Sequence, residues 1–197
     1  MDYNAPMKLK QYSLVIIKPD AMEQFLDSVA IDGLQKRGLS IVLRKYTRLS
    51  REQAEELYSE KRGYNYYSRL IDFMTEGPSL LLFTKSVRAG DDAAERAKEY
   101  RDWARKNLKV VKFDVRPEDL ELLNKGIHPE QEGITREMAL RNLVHVPDDT
   151  ESALKIVCGS LTQWELTQLK EVDADLHQCV CTMRETRIVP YSNERLG

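Results

Sequence analysis

The apolar positions along this chain alternate between two periods. Tyr12 to Ile17 is a short β-rich apolar run that ends at Lys18-Pro19-Asp20. Proline has no N–H for a ladder, so the strand stops near Lys18 and delivers that lysine to a strand end. Leu26, Val29, Ala30 and Leu34 then recur at helical spacing, and Gly38 stands where helices often terminate. Ile41 to Tyr46 reads as a second strand. Ser50-Arg51-Glu52-Gln53 has the form of a capping box, with Leu49 and Ala54 as a possible staple, and starts a helix through Leu57 and Tyr58. Tyr67 to Met74 predicts another short helix, closed by Glu76-Gly77-Pro78, and Ser79 to Phe83 a buried third strand.

The second half is less regular. Ala93, Ala97, Tyr100, Ala104 and Leu108 form a stripe at steps of four and three, the mark of a long amphipathic helix. Val110 to Val115 reads as an additional strand and Pro117 to Lys125 as a short helix with Gly126 past its end. Leu143 to Val146 is a short strand, and Asp149 starts a helix with Ala153, Ile156, Val157 and Leu161 on one face. From about Thr162 the pattern is mixed and yields no clear element. This order predicts an α+β fold with a ferredoxin-like βαββαβ core, one antiparallel sheet covered by helices. Residues 1–197 read as a single domain, with an insertion at about 107–132 and a C-terminal extension at about 162–197.

Composition narrows the function classes. Hydrophobic residues at 42% and charged residues at 31% point to a soluble globular domain. A net charge of −2 argues against bulk binding of nucleic acid or anionic membrane, so any phosphate affinity must be local. No secretory signal or membrane span is legible. Cys158, Cys179 and Cys181 are odd in number and lack metal-site spacing, which fits reduced cysteines in a cytoplasmic protein.

Three segments carry chemistry. They are Tyr-Ser-Leu-Val-Ile-Ile-Lys-Pro-Asp-Ala at 12–21, the stretch 37–78 ending in Phe73-Met74-Thr75-Glu76-Gly77-Pro78, and Arg141-Asn142-Leu143-Val144-His145 followed by Asp148 and Ser152-Ala153. Together and in order they resemble the nucleoside diphosphate kinase family. The resemblance implies a ping-pong transfer in which a histidine takes the γ-phosphate of a nucleoside triphosphate and passes it to a nucleoside diphosphate. An imidazole with an ordinary pKa of about 6.5 is largely neutral and nucleophilic at neutral pH, which suits that role.

By this resemblance His145 is the nucleophile, Lys18 contacts the sugar and the transferring phosphate, and Asn142 bonds the ribose 3′-hydroxyl. Tyr58 touches the phosphate region and Tyr67 lies under the base. Arg136, in Gly133-Ile134-Thr135-Arg136, is the better candidate for a phosphate clamp. Arg96 is the candidate for a second arginine, with Arg88, Arg101 and Arg105 as competitors. Mg²⁺ comes with the nucleotide phosphates, with Asp148 as a possible contact. His128 and His177 carry no motif. The partners implied are nucleoside di- and triphosphates and further copies of the same chain.

The sequence also departs from the family. The expected Gly-Ser-Asp after the histidine is Val146-Pro147-Asp148, and the glutamate that would orient the ring through that serine falls at Ile156. About forty residues separate Arg96 from Arg136, where the family has a shorter covering loop. These changes keep open an alternative: a weakly active or inactive nucleotide-binding relative that serves in regulation or assembly.

Overall fold

The computed structural model describes residues 10–108 and 141–188. The elements are β1 (Tyr12–Ile17), α1 (Pro19–Glu23), α2 (Asp27–Gln35), β2 (Leu39–Thr47), α3 (Arg51–Leu57), α4 (Tyr67–Glu76), β3 (Ser79–Ser86) and α5 (Ala93–Asn107). They continue with β4 (Val144–His145), α6 (Thr150–Ser160), α7 (Gln163–Val172) and α8 (Ala174–Ile188). The strands form one antiparallel sheet in the order β2-β3-β1-β4. This is the predicted α+β architecture, with β1 near its centre. The strand predicted at 110–115, the helix predicted at 117–125, and Arg136 lie outside the described residues.

Local chemistry accounts for most boundaries. All six residues of β1 are buried, as a continuous apolar run requires when both sheet faces are covered. Ser50 and Gln53 exchange the two hydrogen bonds of a capping box at the start of α3. Asp92 caps α5 by accepting from the N–H groups of Ala94 and Glu95, and Asp149 caps α6 through Ser152.

The sheet separates two apolar layers. Val15, Ile17, Leu80 and Leu82 face α2 and α5, whose Ala97, Tyr100 and Ala104 fill that side. A methyl group on Gly33 of α2 would fall 2.5 Å from the Tyr100 ring, so glycine there permits the close approach of α2 and α5. Tyr12, Leu14, Ile16, Leu81 and Phe83 face the other layer, built from α3, α4, α6, α7 and α8.

The tail forms two helices. Thr162 and Glu165 make a second capping box at the start of α7, a signal of the same kind as Ser50 and Gln53. Leu176 and Val180 of α8 are buried, with Met183 packed beside them. Polar anchors fix this pair: Lys45 meets Glu165 at 2.6 Å. Asp173 accepts from the Tyr12 hydroxyl at 2.8 Å and from Lys85 Nζ at 2.6 Å. Arg184 donates to the Cys158 carbonyl at the end of α6. No helix among the described residues is long and apolar enough to cross a membrane.

Asp173 therefore ties the tail to β1 and β3, and its removal has a predictable cost. Burial alone raises its pKa, but the Lys85 ammonium, the Leu176 N–H and the Tyr12 hydroxyl outweigh that and hold it below the ordinary carboxylate range. A depressed carboxylate pKa means stability that is present above the unfolded value and lost as pH falls through the folded one. Asp173→Asn is expected to lower unfolding free energy by about 1–3 kcal/mol at neutral pH, read by urea denaturation. It should also flatten the loss of stability in strong acid. Unchanged denaturation at both pH values would show that this anchor is not supporting the tail.

Candidate functional site

The site is assembled where β1 ends beside β4. Ile16 pairs with His145 and Ile17 with Val144. Cross-strand partners project to the same face, so His145 lies on the side of Ile16, toward α3 and α4. Pro19 ends the strand, and Lys18, two residues beyond Ile16, follows on that side. The Lys18 ammonium is 4.9 Å from the centre of the Phe73 ring, on α4. It donates to Asn142 Oδ1 at 3.0 Å. The structure thus brings Lys18, Asn142 and His145 to one end of the sheet.

Backbone bonds hold this arrangement. The Lys18 N–H donates to the Leu143 carbonyl at 2.9 Å, and the Leu143 N–H donates to Asp20 Oδ2 at 3.0 Å. Leu143 has φ 67°, a left-handed conformation that costs an L-residue roughly 1–2 kcal/mol. Arg141 is ion-paired with Glu76 at 2.7 Å, and its guanidinium sits 4.8 Å from the same Phe73 ring.

Tyr58, just past the end of α3, is buried with its ring 4.8 Å from the His145 ring at 61°. Its hydroxyl has no hydrogen-bond partner among the described residues. Tyr67, at the first turn of α4, is half-buried. Its hydroxyl accepts from Arg62 Nε at 3.4 Å and donates to the Glu55 carbonyl at 3.5 Å. These bonds tie Tyr67 to α3 and the α3–α4 connection.

Arg96 and its competitor Arg105 fare differently. Arg96 is ion-paired with Asp91 and Glu99, both at 3.3 Å and both in its own segment. Helix α5 approaches β4 with its other end, where Arg105 Nη2 donates to the Val144 carbonyl at 3.1 Å. At 1.5 Å per residue, Arg96 is roughly 13 Å of helix rise away from Arg105. Arg101 lies one turn before Arg105, and both depress the pKa of His145, as does Lys61. The i, i+4 spacing of Arg101 and Arg105 was the available sequence signal, since it places both on one helix face. Lys61 carried no signal of its own, and Phe73 stood in a quoted motif without a role assigned to it.

The electrostatics of the cluster are strongly biased. Burial, followed by the charges of Lys18, Arg105, Arg101 and Lys61, pushes the His145 pKa down to about 3. The imidazole is therefore neutral over the whole physiological range. Burial pushes Lys18 down to about 7, with Asp20 opposing and Arg105 and Arg141 reinforcing the shift. Burial raises the Asp20 pKa, opposed by Lys18 and by the Leu143 N–H. A set of cations around a neutral, nucleophilic ring is suited to receiving a polyanion.

Among the described residues, no hydrogen bond reaches the His145 ring to set its tautomer. Pro147 is buried, and Ile156 is half-buried against the apolar layer that includes α3 and α4. Asp148 is exposed, and its backbone carbonyl accepts from Lys98. Among the described residues, no three His, Cys, Asp or Glu side chains assemble into a metal-holding group. His177 lies on α8, with its Nε2 3.4 Å from Cys181 Sγ.

Comparison with known proteins bears on this geometry. A family profile described as nucleoside diphosphate kinase matches residues 11–100, which include Lys18 and Tyr58 and stop short of His145. A thioredoxin domain-containing protein 3 homolog of Ciona intestinalis is 28% identical over 173 residues, 85% of this chain, and the chain spans 23% of that protein's length. The nucleoside diphosphate kinase of Staphylothermus marinus is 32% identical over 143 residues, covering 73% of this chain and 86% of that protein. An orthorhombic crystal structure of the Aquifex aeolicus nucleoside diphosphate kinase superposes with a TM-score of 0.54 at 26% identity, over 79% of this chain and 97% of that one. On the strength of 32% identity across most of both chains, and of a shared antiparallel sheet covered by helices, the chain belongs to the nucleoside diphosphate kinase family.

Proposed function

We propose that this chain transfers the γ-phosphate of a nucleoside triphosphate to a nucleoside diphosphate through phospho-His145. The observation that carries this reading is the meeting of His145, Lys18 and Asn142 at one end of the sheet, within the electrostatic reach of Arg105, Arg101 and Lys61. In the first half-reaction an imidazole nitrogen attacks the γ-phosphorus. A P–N bond forms, the bond from that phosphorus to the β-phosphate oxygen breaks, and the diphosphate leaves with the electron pair. A second diphosphate reverses these events. The substrate is the Mg²⁺–nucleotide complex, so the metal arrives on the phosphates. Lys18 holds the transferring group, Asn142 takes the sugar hydroxyl, and Tyr58 closes the pocket over the ring. Arg105 is better placed than Arg96 to neutralise charge, with Arg101 one turn before it; Arg136, outside the described residues, stays the candidate that the family resemblance offers.

The test is incubation with γ-labelled ATP and Mg²⁺. The expected product carries label that is lost in acid and kept in base, as a phosphoramidate requires. Label that survives acid, or none at all, would reject the mechanism.

A second reading is supported by a separate observation. Among the described residues nothing fixes the His145 tautomer, and Pro147 and Ile156 stand where a serine and a glutamate would do so. On this reading the chain binds nucleotides and turns over slowly or not at all. Pro147→Ser with Ile156→Glu restores both partners together, which avoids leaving either one buried and unpaired. The double variant is expected to exchange phosphate about tenfold faster, borrowing the scale of orienting partners at metal sites. No gain in steady-state exchange, with the fold intact, would show that ring orientation is not limiting.

A further inference from the structure

We propose that Asp20 is a positioning residue that sets the spacing of Lys18, Asn142 and His145 by clamping Leu143; this rests on the phosphotransfer reading above. The observations are local and independent of that reading. Asp20 is 1% exposed, on the short helix α1 directly after Lys18 and Pro19. One carboxylate oxygen accepts the Leu143 N–H, while the Leu143 carbonyl accepts the Lys18 N–H. The Lys-Pro-Asp turn therefore grips both polar groups of a single residue. That residue is a leucine with φ 67°, at the centre of a three-residue turn closed by the Val144 N–H on the Asn142 carbonyl at 2.7 Å, a strained form that persists only where further contacts support it.

Leu143 sits between Asn142 and the two residues of β4. Its backbone conformation sets the direction in which Asn142 leaves the strand, and so whether Asn142 meets Lys18 while His145 stays paired with Ile16. Relaxing Leu143 to an ordinary extended conformation would swing Asn142 away from the lysine. The second Asp20 oxygen is buried without a hydrogen-bond partner among the described residues. Burial raises the Asp20 pKa against the pull of Lys18 and of the Leu143 and Ala21 N–H groups, so the carboxylate is costly to keep there, which fits a group retained for the geometry it enforces.

The test compares Asp20→Ala, Asp20→Leu and Asp20→Asn in the full chain. Leucine fills the carboxylate's volume without accepting a bond, so it covers the case in which alanine fails to fold. Asparagine keeps an acceptor for Leu143, and the assays are run at pH 6 so that loss of the charge beside Lys18 has least effect. Two quantities are read: hydrogen-exchange protection of the Leu143 amide, and the rate of labelling by γ-labelled ATP at limiting and saturating nucleotide. Alanine and leucine are expected to lose Leu143 protection while neighbouring sheet amides keep theirs. They should also lose about tenfold in the rate at saturation with little change in apparent KM, as misplacement of a catalytic group predicts. Asparagine should keep protection and most of the rate. Full protection and full rate in alanine or leucine would overturn the clamp. Loss in asparagine equal to that in leucine would also overturn it, because charge rather than the hydrogen bond would then be what matters. If the unsubstituted chain is never labelled, the phosphotransfer reading fails by itself, and Leu143 protection still decides whether the clamp exists.

Discussion

His145→Ala is expected to remove all acid-labile label while leaving the protein folded. The ring is neutral throughout the neutral range, whereas Lys18, pushed down to about 7, is still partly in its ammonium form there. Lys18 is tied to Asn142 and Phe73, and the raised pKa of the buried Tyr58 keeps its hydroxyl protonated. Neither can replace a neutral imidazole as phosphate acceptor. The structural cost is modest, because the residue stands on a two-residue edge strand and its loss removes one ring contact with Tyr58. A destabilisation of about 1–2 kcal/mol is the scale for such a change. Circular dichroism and the melting transition should therefore stay close to those of the parent. Label that persists on a folded His145→Ala protein would mean that another residue carries the phosphate, and the proposed mechanism would be wrong.

The pH profile should differ in shape from that of an ordinary histidine nucleophile. With its pKa near 3, His145 stays neutral well into acid, so labelling at limiting ATP should show no decline between pH 7 and pH 5. Lys18 behaves oppositely. Its ammonium is the useful form, and in the free protein that form is lost as pH rises through about 7. The labelling rate at limiting nucleotide reports groups of the free protein, so it should fall above that value, by about a hundredfold at pH 9 if the charge is essential. Saturating ATP should move the fall to higher pH, because a bound polyanion favours the charged amine. The measurement is single-turnover labelling from pH 5 to 9 with Mg²⁺ in excess. An acid limb centred near 6.5 would show that the imidazole is not shielded as described. A flat alkaline side would remove Lys18 from phosphate binding.

Much of the scaffold was legible because it rests on short-range chemistry. The apolar run 12–17 could only be a buried strand, and Pro19 had to end it. The capping box at Ser50, the Asp149 cap and the alanine–tyrosine stripe of α5 place helices by local bonding and periodicity. The same reading passed over α7, although Thr162 and Glu165 form a capping box like that of Ser50. It was hidden because most of α7 and α8 is polar, and the few buried residues are meaningful only against the sheet they cover.

The site was legible as residue types and order, and less so as geometry. Lys18, Asn142 and His145 could be named because their motifs resemble those of a family, and for Lys18 alone the proline turn also gave its place at a strand end. Which arginine stands beside His145 could not be named, because that depends on which end of α5 meets β4. Packing of Tyr100 against Gly33 contributes to that crossing, and Arg105 rather than Arg96 reaches the Val144 carbonyl. The ionisation of His145 and Lys18 was equally out of reach. A pKa is set by burial and by charges brought together from separate elements, here from residues up to 127 positions apart in the chain. The sequence by itself determined the strands of the sheet and most of the helices, since those follow from local bonding, and its resemblance to a family named the candidate reacting groups. The tertiary structure alone decided the grip on Leu143, the cations around the ring and the neutrality of His145, because fields and clamps act across space between segments that local pattern does not relate.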